Sequence, residues 1–332
     1  MPKVSVILPF HNTASTLDAA IASIAAQSFT DFDLLLIDNA SMDESKAIVK
    51  RWAAQDDRIR LIAEPKIGIA HALNTGLLHA QGRYIARMDA DDISHPERFA
   101  KQVTYLEEHP EIGVLGTRTT FTTSVDKSHG MRFFTQWQNA ILSPQDHYVK
   151  RFVDAPLAHP TVMFRRELVE QHGGYNIGPL PEDHELWLRW MDAGVRFAKL
   201  PEKLLIWNDH AQRLSRTHAN YSVDAFFTTK AKWLAKWLKR KLNERPVIIA
   251  GTSLMCRDRA RMLEAEGIAV HAFTDVRPRV VPGYAFIPHG ELPPSGEAFI
   301  ISFISQRGTG DRIAEFLVSR GLVEGEDFIL AA

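Results

Sequence analysis

Two hydrophobic periods alternate from the first residues onward. Val4, Val6, Ile7 and Leu8 form a short apolar run closed by Pro9, which predicts a buried strand over 4–8. Leu17, Ala20, Ile21, Ile24 and Ala25 then fall at helical spacing, with Ser15 or Thr16 placed to cap that helix. The alternation repeats, predicting helices over 43–54 and 68–80 and strands over 34–37, 59–63 and 84–88. Such a rhythm implies a mostly parallel sheet covered by helices on both faces. Ligands of such sheets collect at the carboxyl ends of the strands, where Asp38 and Asp89 both stand.

Beyond Pro96 a helix is predicted to about residue 109, then a strand over 112–115. The stretch 117–152 is polar and irregular and predicts no definite element; strand additions and an acceptor-side loop both fit it. Order returns over 160–164, and helices follow over 166–172 and 182–193, stopped by Gly173-Gly174 and by Gly194. After a charged segment over 230–245 the rhythm restarts, with strands over 247–250, 269–274, 298–303 and 328–330 and helices over 254–266 and 312–320.

Length and charge narrow the choices. A chain of 332 residues suits two unequal domains, and 45% hydrophobic with 24% charged residues suits a buried core. The net charge of −1 gives no global reason to expect nucleic acid as a partner. Cys256 is the single cysteine, which excludes an intramolecular disulfide and a cysteine-based zinc site. The N-terminus lacks the features of a signal peptide, and no uncharged apolar run approaches the roughly 20 residues of a spanning helix, so a cytoplasmic location is expected.

Three acidic groups carry candidate chemistry. Asp89-Ala90-Asp91-Asp92 puts three acids into four residues at a strand end. They repel one another unless a cation sits among them, and hard divalent cations prefer such oxygen ligands. A solvated acidic turn would read the same in isolation, but its place in a parallel sheet favours the metal. Asp38-Asn39 ends another strand, where a carboxylate or amide oxygen can accept N3–H of a uracil or thymine ring. An Asx-turn, with Asp43 capping the next helix, is compatible with that role. Glu182-Asp183 opens a helix, whose dipole favours ionised acids there. Ordinary helix-end charge also explains this pair; Trp187 and Arg189 beside it add weight, since sugar rings stack on indole.

In combination these motifs resemble family 2 glycosyltransferases of the GT-A fold over roughly residues 1–215. The matching stretches are Val4-Ser5-Val6-Ile7-Leu8-Pro9-Phe10-His11-Asn12, Ile37-Asp38-Asn39-Ala40-Ser41-Met42-Asp43 and Ala72-Leu73-Asn74-Thr75-Gly76. They continue with Arg87-Met88-Asp89-Ala90-Asp91-Asp92, His159-Pro160-Thr161, Gly173-Gly174-Tyr175 and the run from Glu182 to Arg189. The resemblance implies an inverting transfer of a sugar from a nucleoside-diphosphate donor to an acceptor hydroxyl, by direct displacement. UDP- or dTDP-sugars are the expected donors, a glycan or lipid-linked molecule the acceptor, and bacterial surface polysaccharide or glycoconjugate the product. It assigns the metal, Mn or Mg, to Asp91 with Asp89, and the base to Asp183 with Glu182 beside it. Donor contacts fall to Pro9, His11, Asn12, Asp38, Asn39, Gly68, Asn74, Asp89, Ala90 and His210; His159 and Trp187 lie toward the acceptor. Trp207 to Ser215 resembles the family's loop behind the active site, where His210 and Arg213 can meet the diphosphate. Two departures concern the nucleotide base: Asp38-Asn39 replaces a pair of acids, and His11 replaces a tyrosine.

The expected organisation is a GT-A domain over 1–220, a basic amphipathic helix over 221–245 and a small Rossmann-like domain over 246–332. Over 226–242, Phe226, Phe227, Trp233, Leu234, Trp237, Leu238 and Leu242 share one face and Lys232, Lys236, Lys239 and Arg240 the other. That suits a connector between domains or a peripheral contact with a membrane's inner face. The last domain opens with Val247-Ile248-Ile249-Ala250-Gly251-Thr252-Ser253 and reaches Asp275, but lacks the second and third glycines of a dinucleotide fingerprint. NAD(P) binding is therefore not expected. Two alternatives remain open: a binding protein that has lost turnover, and a sugar nucleotidyltransferase, although Phe10-His11-Asn12-Thr13 is not that class's Gly-rich loop.

Overall fold

A computed structural model describes residues 1–126, 128–305 and 308–332. Its elements, in chain order, are β1 (Val4–Phe10), α1 (Leu17–Ala25), β2 (Phe32–Asp38), α2 (Ser45–Ala53), β3 (Ile59–Ala63), α3 (Ile69–His79), β4 (Tyr84–Arg87), β5 (Ile93–Ser94) and α4 (Arg98–Glu108). Then come β6 (Ile112–Thr123), α5 (His129–Ala140), α6 (Pro144–Lys150), β7 (Met163–Arg165), α7 (Glu167–His172), α8 (Glu182–Asp192), β8 (Arg196–Asp209), α9 (Leu214–Thr217) and α10 (Val223–Lys241). The chain ends with β9 (Val247–Ala250), α11 (Leu254–Ala265), β10 (Val270–Asp275), β11 (Ala285–Pro288), β12 (Phe299–Ser302), α12 (Thr309–Ser319) and β13 (Phe328–Leu330). Contacts divide it into a first unit, Met1–His147, Pro156–Gly178 and Glu185–His218, and a second, Tyr148–Ala155, Pro179–His184 and Ala219–Ala332.

The first unit is built on a mixed sheet in the order β3-β2-β1-β4-β7-β6-β8-β5. β1 is buried along its whole length and runs parallel to both β2 and β4. Its alternate residues serve two cores, which is why the strand reads as a continuous apolar run. Val4, Val6 and Leu8 face Leu17, Ile21 and Ile24 of α1 and Phe99 and Val103 of α4. Ile7, with Leu35 and Ile37, faces Ala72 and Leu73 of α3 and Leu186, Trp187 and Trp190 of α8. β7 breaks the parallel run, pairing antiparallel with β4 and β6.

Several expectations change. The Thr-rich start of the unassigned stretch extends β6 to Thr123, because β-branched residues suit a half-buried strand, and α5 and α6 follow. Its partner β8 was not foreseen; register shifts interrupt the pairing and blur the alternation. Trp207-Asn208-Asp209, read as the start of a loop, ends this strand. Neither Ser15 nor Thr16 caps α1 through its side chain; the Thr13 carbonyl closes that turn by accepting from the Thr16 and Leu17 amides.

The second unit holds an all-parallel sheet in the order β11-β10-β9-β12-β13, a Rossmann-like arrangement with the first strand central. α10 is integral to this unit rather than a bare connector. Its Trp237 packs against Phe152 and Phe299, with ring centroids 5.9 and 5.7 Å away, and donates to the Tyr148 hydroxyl at 2.7 Å. Phe227, Trp233, Leu234 and Leu238 are buried too, so the face offered above to a membrane is already covered. Among the described residues no helix is long and apolar enough to cross a membrane.

The turn into β4 depends on Gly82, which lies against the β1 backbone and donates its N–H to Ser5 Oγ at 2.9 Å. A Cβ there would stand 2.4 Å from the Ser5 nitrogen, and backbone cannot yield as a side-chain tip can. Gly82→Ala should therefore cost about 1–3 kcal/mol. Urea unfolding checks this; an unchanged midpoint would show that the turn tolerates the methyl group.

Candidate active site

The carboxyl ends of β1 and β2 are knitted together by polar side chains. Asp38, 2% exposed, accepts the Ser41 N–H at 2.9 Å and pairs with Lys46 at 2.9 Å. Burial opposes its charge, but the Lys46 ammonium and the Ser41 donors prevail and hold the carboxyl below its usual range. Lys46 escaped the sequence reading because it sits a helical turn beyond the motif, among ordinary surface lysines. Asp43 does bond the start of α2, accepting the Ser45 N–H at 3.0 Å.

Asn39 is used differently from expectation. Both hydrogens of its amide are committed, to the carbonyls of Glu64 at 3.2 Å and Lys66 at 2.7 Å, and its oxygen accepts the Gly68 N–H at 2.8 Å. Its own carbonyl accepts from Nδ1 of His11 at 2.6 Å, so that nitrogen carries the proton and Nε2 faces the Asn12 amide at 3.2 Å. Asn12, at φ +52°, donates its N–H to the Ser41 hydroxyl oxygen and accepts the Met42 N–H on its side-chain oxygen. Ala40 also adopts positive φ, +59°, a costly conformation for a residue with a Cβ. These loops form one hydrogen-bonded rim beside Pro9, the penultimate residue of β1.

The triad follows β4. Ligand oxygens of Asp89, Asp91 and Asp92 all lie within 4.8 Å of one another. Asp89 pairs with Arg87 at 2.6 Å, and Asp91 meets Nε2 of His210 at 2.8 Å. Asp92 is fully buried; one oxygen accepts the Asn208 N–H at 2.8 Å and the other has no hydrogen-bond partner. Burial first, then the charge of Asp89, pushes Asp91 upward, against Arg213 and His210. Asp92 is pushed well above its usual range by burial, opposed chiefly by Arg213. A divalent cation fits this donor set, since it would meet the orphaned oxygen and relieve the crowding of like charges. Ala90, between the acids, belongs to the buried core of the first unit.

Of the arginines around this turn, sequence reading singled out Arg213 but missed Arg98 and Arg216. Arg98, wholly buried on α4, donates to the carbonyls of Arg87 at 3.2 Å and Pro160 at 2.5 Å. Burial lowers its pKa to about 9, while the Asp92 charge works in the opposite direction. Arg213 lies 4.7 Å over the Trp207 ring, and Arg216 grips Asp209 through two bonds of 2.8 and 2.7 Å. Asn208 ties the end of β8 to the triad, also donating to the Asp91 carbonyl at 2.7 Å.

Three residues expected toward donor and acceptor have side chains engaged within the fold. Asn74 makes two bonds to the Tyr175 backbone, at 2.8 and 2.9 Å, and so anchors the Gly173-Gly174-Tyr175 loop. His159 is buried against the Tyr175 hydroxyl at 2.8 Å and is held neutral by burial and by the Arg87 charge. Trp187 is wholly buried among His159, Trp190 and Phe197, so its ring presents no face for a sugar. Helical spacing places it on the core side of α8 with Leu186 and Trp190.

Glu182-Asp183-His184 group with the second unit. Glu182 is buried and accepts from the Tyr221 hydroxyl at 2.6 Å. Asp183 is half-buried, with one oxygen accepting the His184 N–H at 2.7 Å. In the Rossmann-like sheet, Asp275 accepts both the N–H of Thr252, at 2.9 Å, and its hydroxyl, at 2.7 Å. Gly251, at φ +107°, leaves only 2.7 Å between a notional Cβ and the Cys256 sulfur. The acid that would hold a ribose is thus engaged locally.

Comparison with known proteins agrees with this geometry. Residues 5–173 match the Glycosyl transferase family 2 profile. Over 231 residues the chain is 36% identical to the glycosyltransferase EpsE of Bacillus subtilis, covering 67% of this chain and 79% of that protein. It is 32% identical over 204 residues to the amylovoran biosynthesis glycosyltransferase AmsE of Erwinia amylovora, covering 60% and 74%. It is 26% identical over 246 residues to the O-antigen biosynthesis glycosyltransferase WbnJ of Escherichia coli, covering 72% and 90%. Among solved structures, residues 1–349 of S. aureus TarS in complex with UDP-GlcNAc superpose with a TM-score of 0.57 at 17% identity, covering 80% of this chain and 71% of that one. At that identity the likeness concerns the fold, which is the mixed α/β sheet described above. The family match and the EpsE relative together settle the assignment: the chain belongs to glycosyl transferase family 2 and is a glycosyltransferase.

Proposed function

We propose that the chain transfers a sugar, with inversion, from a UDP- or dTDP-sugar to a hydroxyl of a glycan or lipid-linked acceptor. The observation that carries this reading is the triad, with a buried Asp92 oxygen left without a partner beside Asp89 and Asp91. Relatives named for amylovoran and O-antigen biosynthesis support a role in surface polysaccharide or glycoconjugate synthesis. A Pyrobaculum calidifontis mannosyltransferase in complex with GDP-Man and Mn2+ shares the fold, with a TM-score of 0.52 at 19% identity, and supports manganese or magnesium here.

Each residue has a distinct task in this reading. Asp38, held ionised by Lys46, accepts N3–H of the nucleotide base, while Asn39 fixes the loops around it. A divalent cation held by Asp89, Asp91 and Asp92 would neutralise charge on the departing diphosphate. His210 and Arg213 approach the same charge from the end of β8. Asp183 takes the acceptor's hydroxyl proton as the new oxygen–carbon bond forms and the nucleoside diphosphate leaves the anomeric carbon. The buried Trp233 and Trp237 leave the cationic face of Lys232, Lys236, Lys239 and Arg240 without an apolar anchor for a membrane, so we assign that helix to packing.

Ligand-induced stabilisation tests the donor site, since a ligand raises apparent stability by mass action. UDP-, dTDP- and GDP-sugars should separate in a thermal-shift panel, with the preferred base standing out only when manganese is present. Asp91→Asn should abolish that shift and most turnover without unfolding the protein. Full transfer in excess chelator would sink the metal assignment.

The base is tested by Asp183→Asn, which keeps size and hydrogen bonding but cannot accept the proton. Turnover should fall by about 10²–10⁴-fold, with donor affinity nearly unchanged in calorimetry. A defect confined to donor affinity would move the base elsewhere, with Glu182 the first candidate.

A further inference from the structure

We infer that Tyr221 is a positioning residue for the base, acting through Glu182; this rests on the reading of Asp183 as that base. Three consecutive residues are treated differently by their surroundings. Glu182 is 4% exposed and takes the Tyr221 phenol at 2.6 Å, a short charge-assisted bond. His184 is 0% exposed, donates from Nε2 to the Arg151 carbonyl at 2.9 Å and lies 5.5 Å from the Phe226 ring. Asp183, between them, is half-buried. The turn is thus pinned on both sides of the one carboxylate that has to reach a substrate.

The pins are themselves fixed by the second unit. Tyr221 ends a short turn, Ala219–Tyr221, next to Ser222, whose hydroxyl caps α10 by accepting the Ala225 N–H at 3.2 Å. That capped helix start sets where the phenol stands. The segment carrying Arg151 is clamped by α10 as well. The Arg151 guanidinium lies 3.8 Å from the Tyr148 ring centre and 4.9 Å from that of Trp237, while Lys230 donates to the Val153 carbonyl at 3.0 Å. Lys150 pairs with Glu324 at 2.9 Å, near the end of the chain. The C-terminal part of the second unit therefore holds the Glu182-Asp183 turn.

This placement matters because proton abstraction demands close geometry. A misplacement of about 1 Å can cost on the order of 10²-fold in rate. Holding its neighbours through Tyr221 and Arg151 fixes the backbone from which the Asp183 side chain projects.

The test uses the full chain and release of UDP or dTDP from UDP-N-acetylglucosamine, UDP-glucose, UDP-galactose and dTDP-glucose, with amide hydrogen exchange read in parallel. Tyr221→Phe keeps the ring and removes only the hydroxyl. It should lower kcat roughly 10–100-fold, change donor KM by less than about twofold, and speed exchange over residues 182–185. In an Asp183→Asn background it should lower kcat no further, because both changes act through one carboxylate. Unchanged kcat in Tyr221→Phe, an effect that multiplies with Asp183→Asn, or unchanged exchange over 182–185 would overturn the inference. Wild-type kcat in Asp183→Asn alone would instead overturn the base assignment on which it rests. Exchange decides the structural half even when none of the four donors is turned over.

Discussion

Crowding of three carboxylates at one strand end is the constraint that organises the first unit. Asp92 is fully buried with one oxygen unsatisfied, and Asp89 and Asp91 stand within 4.8 Å. Left alone, such a cluster would hold protons or force the turn open. Basic side chains from separate elements meet it instead: Arg87 on β4, Arg98 on α4 and Arg213 after β8, with the His210 ring against Asp91. β8 had to be long enough to bring Asn208 to Asp92, and β6 long enough to support β8. The geometry that readies a cation site thereby dictates strand lengths on the far side of the sheet.

Around this centre many polar side chains act on backbone rather than on ligand. Asn39 ties the ends of two strands to the loop before α3, and Asn74 ties α3 to the glycine loop at Tyr175. Gln102, wholly buried, donates to the carbonyls of Leu115 and Thr161. Loops at the rim of a sheet leave main-chain groups that no ladder can satisfy, and an amide side chain can give two hydrogens and accept at once. Motif residues are thus of two kinds, those that meet a ligand and those that keep the loops in place for them.

The second unit shows the same economy. Its strand order is one that commonly binds dinucleotides, yet Asp275 is engaged by Thr252 and Cys256 fills the space before Gly251. The unit also contains a set of clamps that join its stretch from Ala219 onward to its two earlier segments, Tyr148–Ala155 and Pro179–His184.

By itself the amino-acid sequence determined the parallel core, because strands buried on both faces must be continuously apolar and their helices must show a 3.6-residue stripe. It also determined the family and marked the candidate acids, since Asp38, the Asp89-Ala90-Asp91-Asp92 run and Glu182-Asp183 are local patterns at predictable ends of elements. Only the tertiary structure decided the rest. β8 was hidden because its register shifts break the alternation that identifies a strand. Lys46, Arg98 and Tyr221 were hidden because a partner's identity depends on which distant backbone it meets, and spacing along the chain carries no such information. Trp187 and Asn39 were legible as motif residues but not in their use: whether an indole faces a sugar or a core, or an amide faces a base or a loop, is settled by what packs against it.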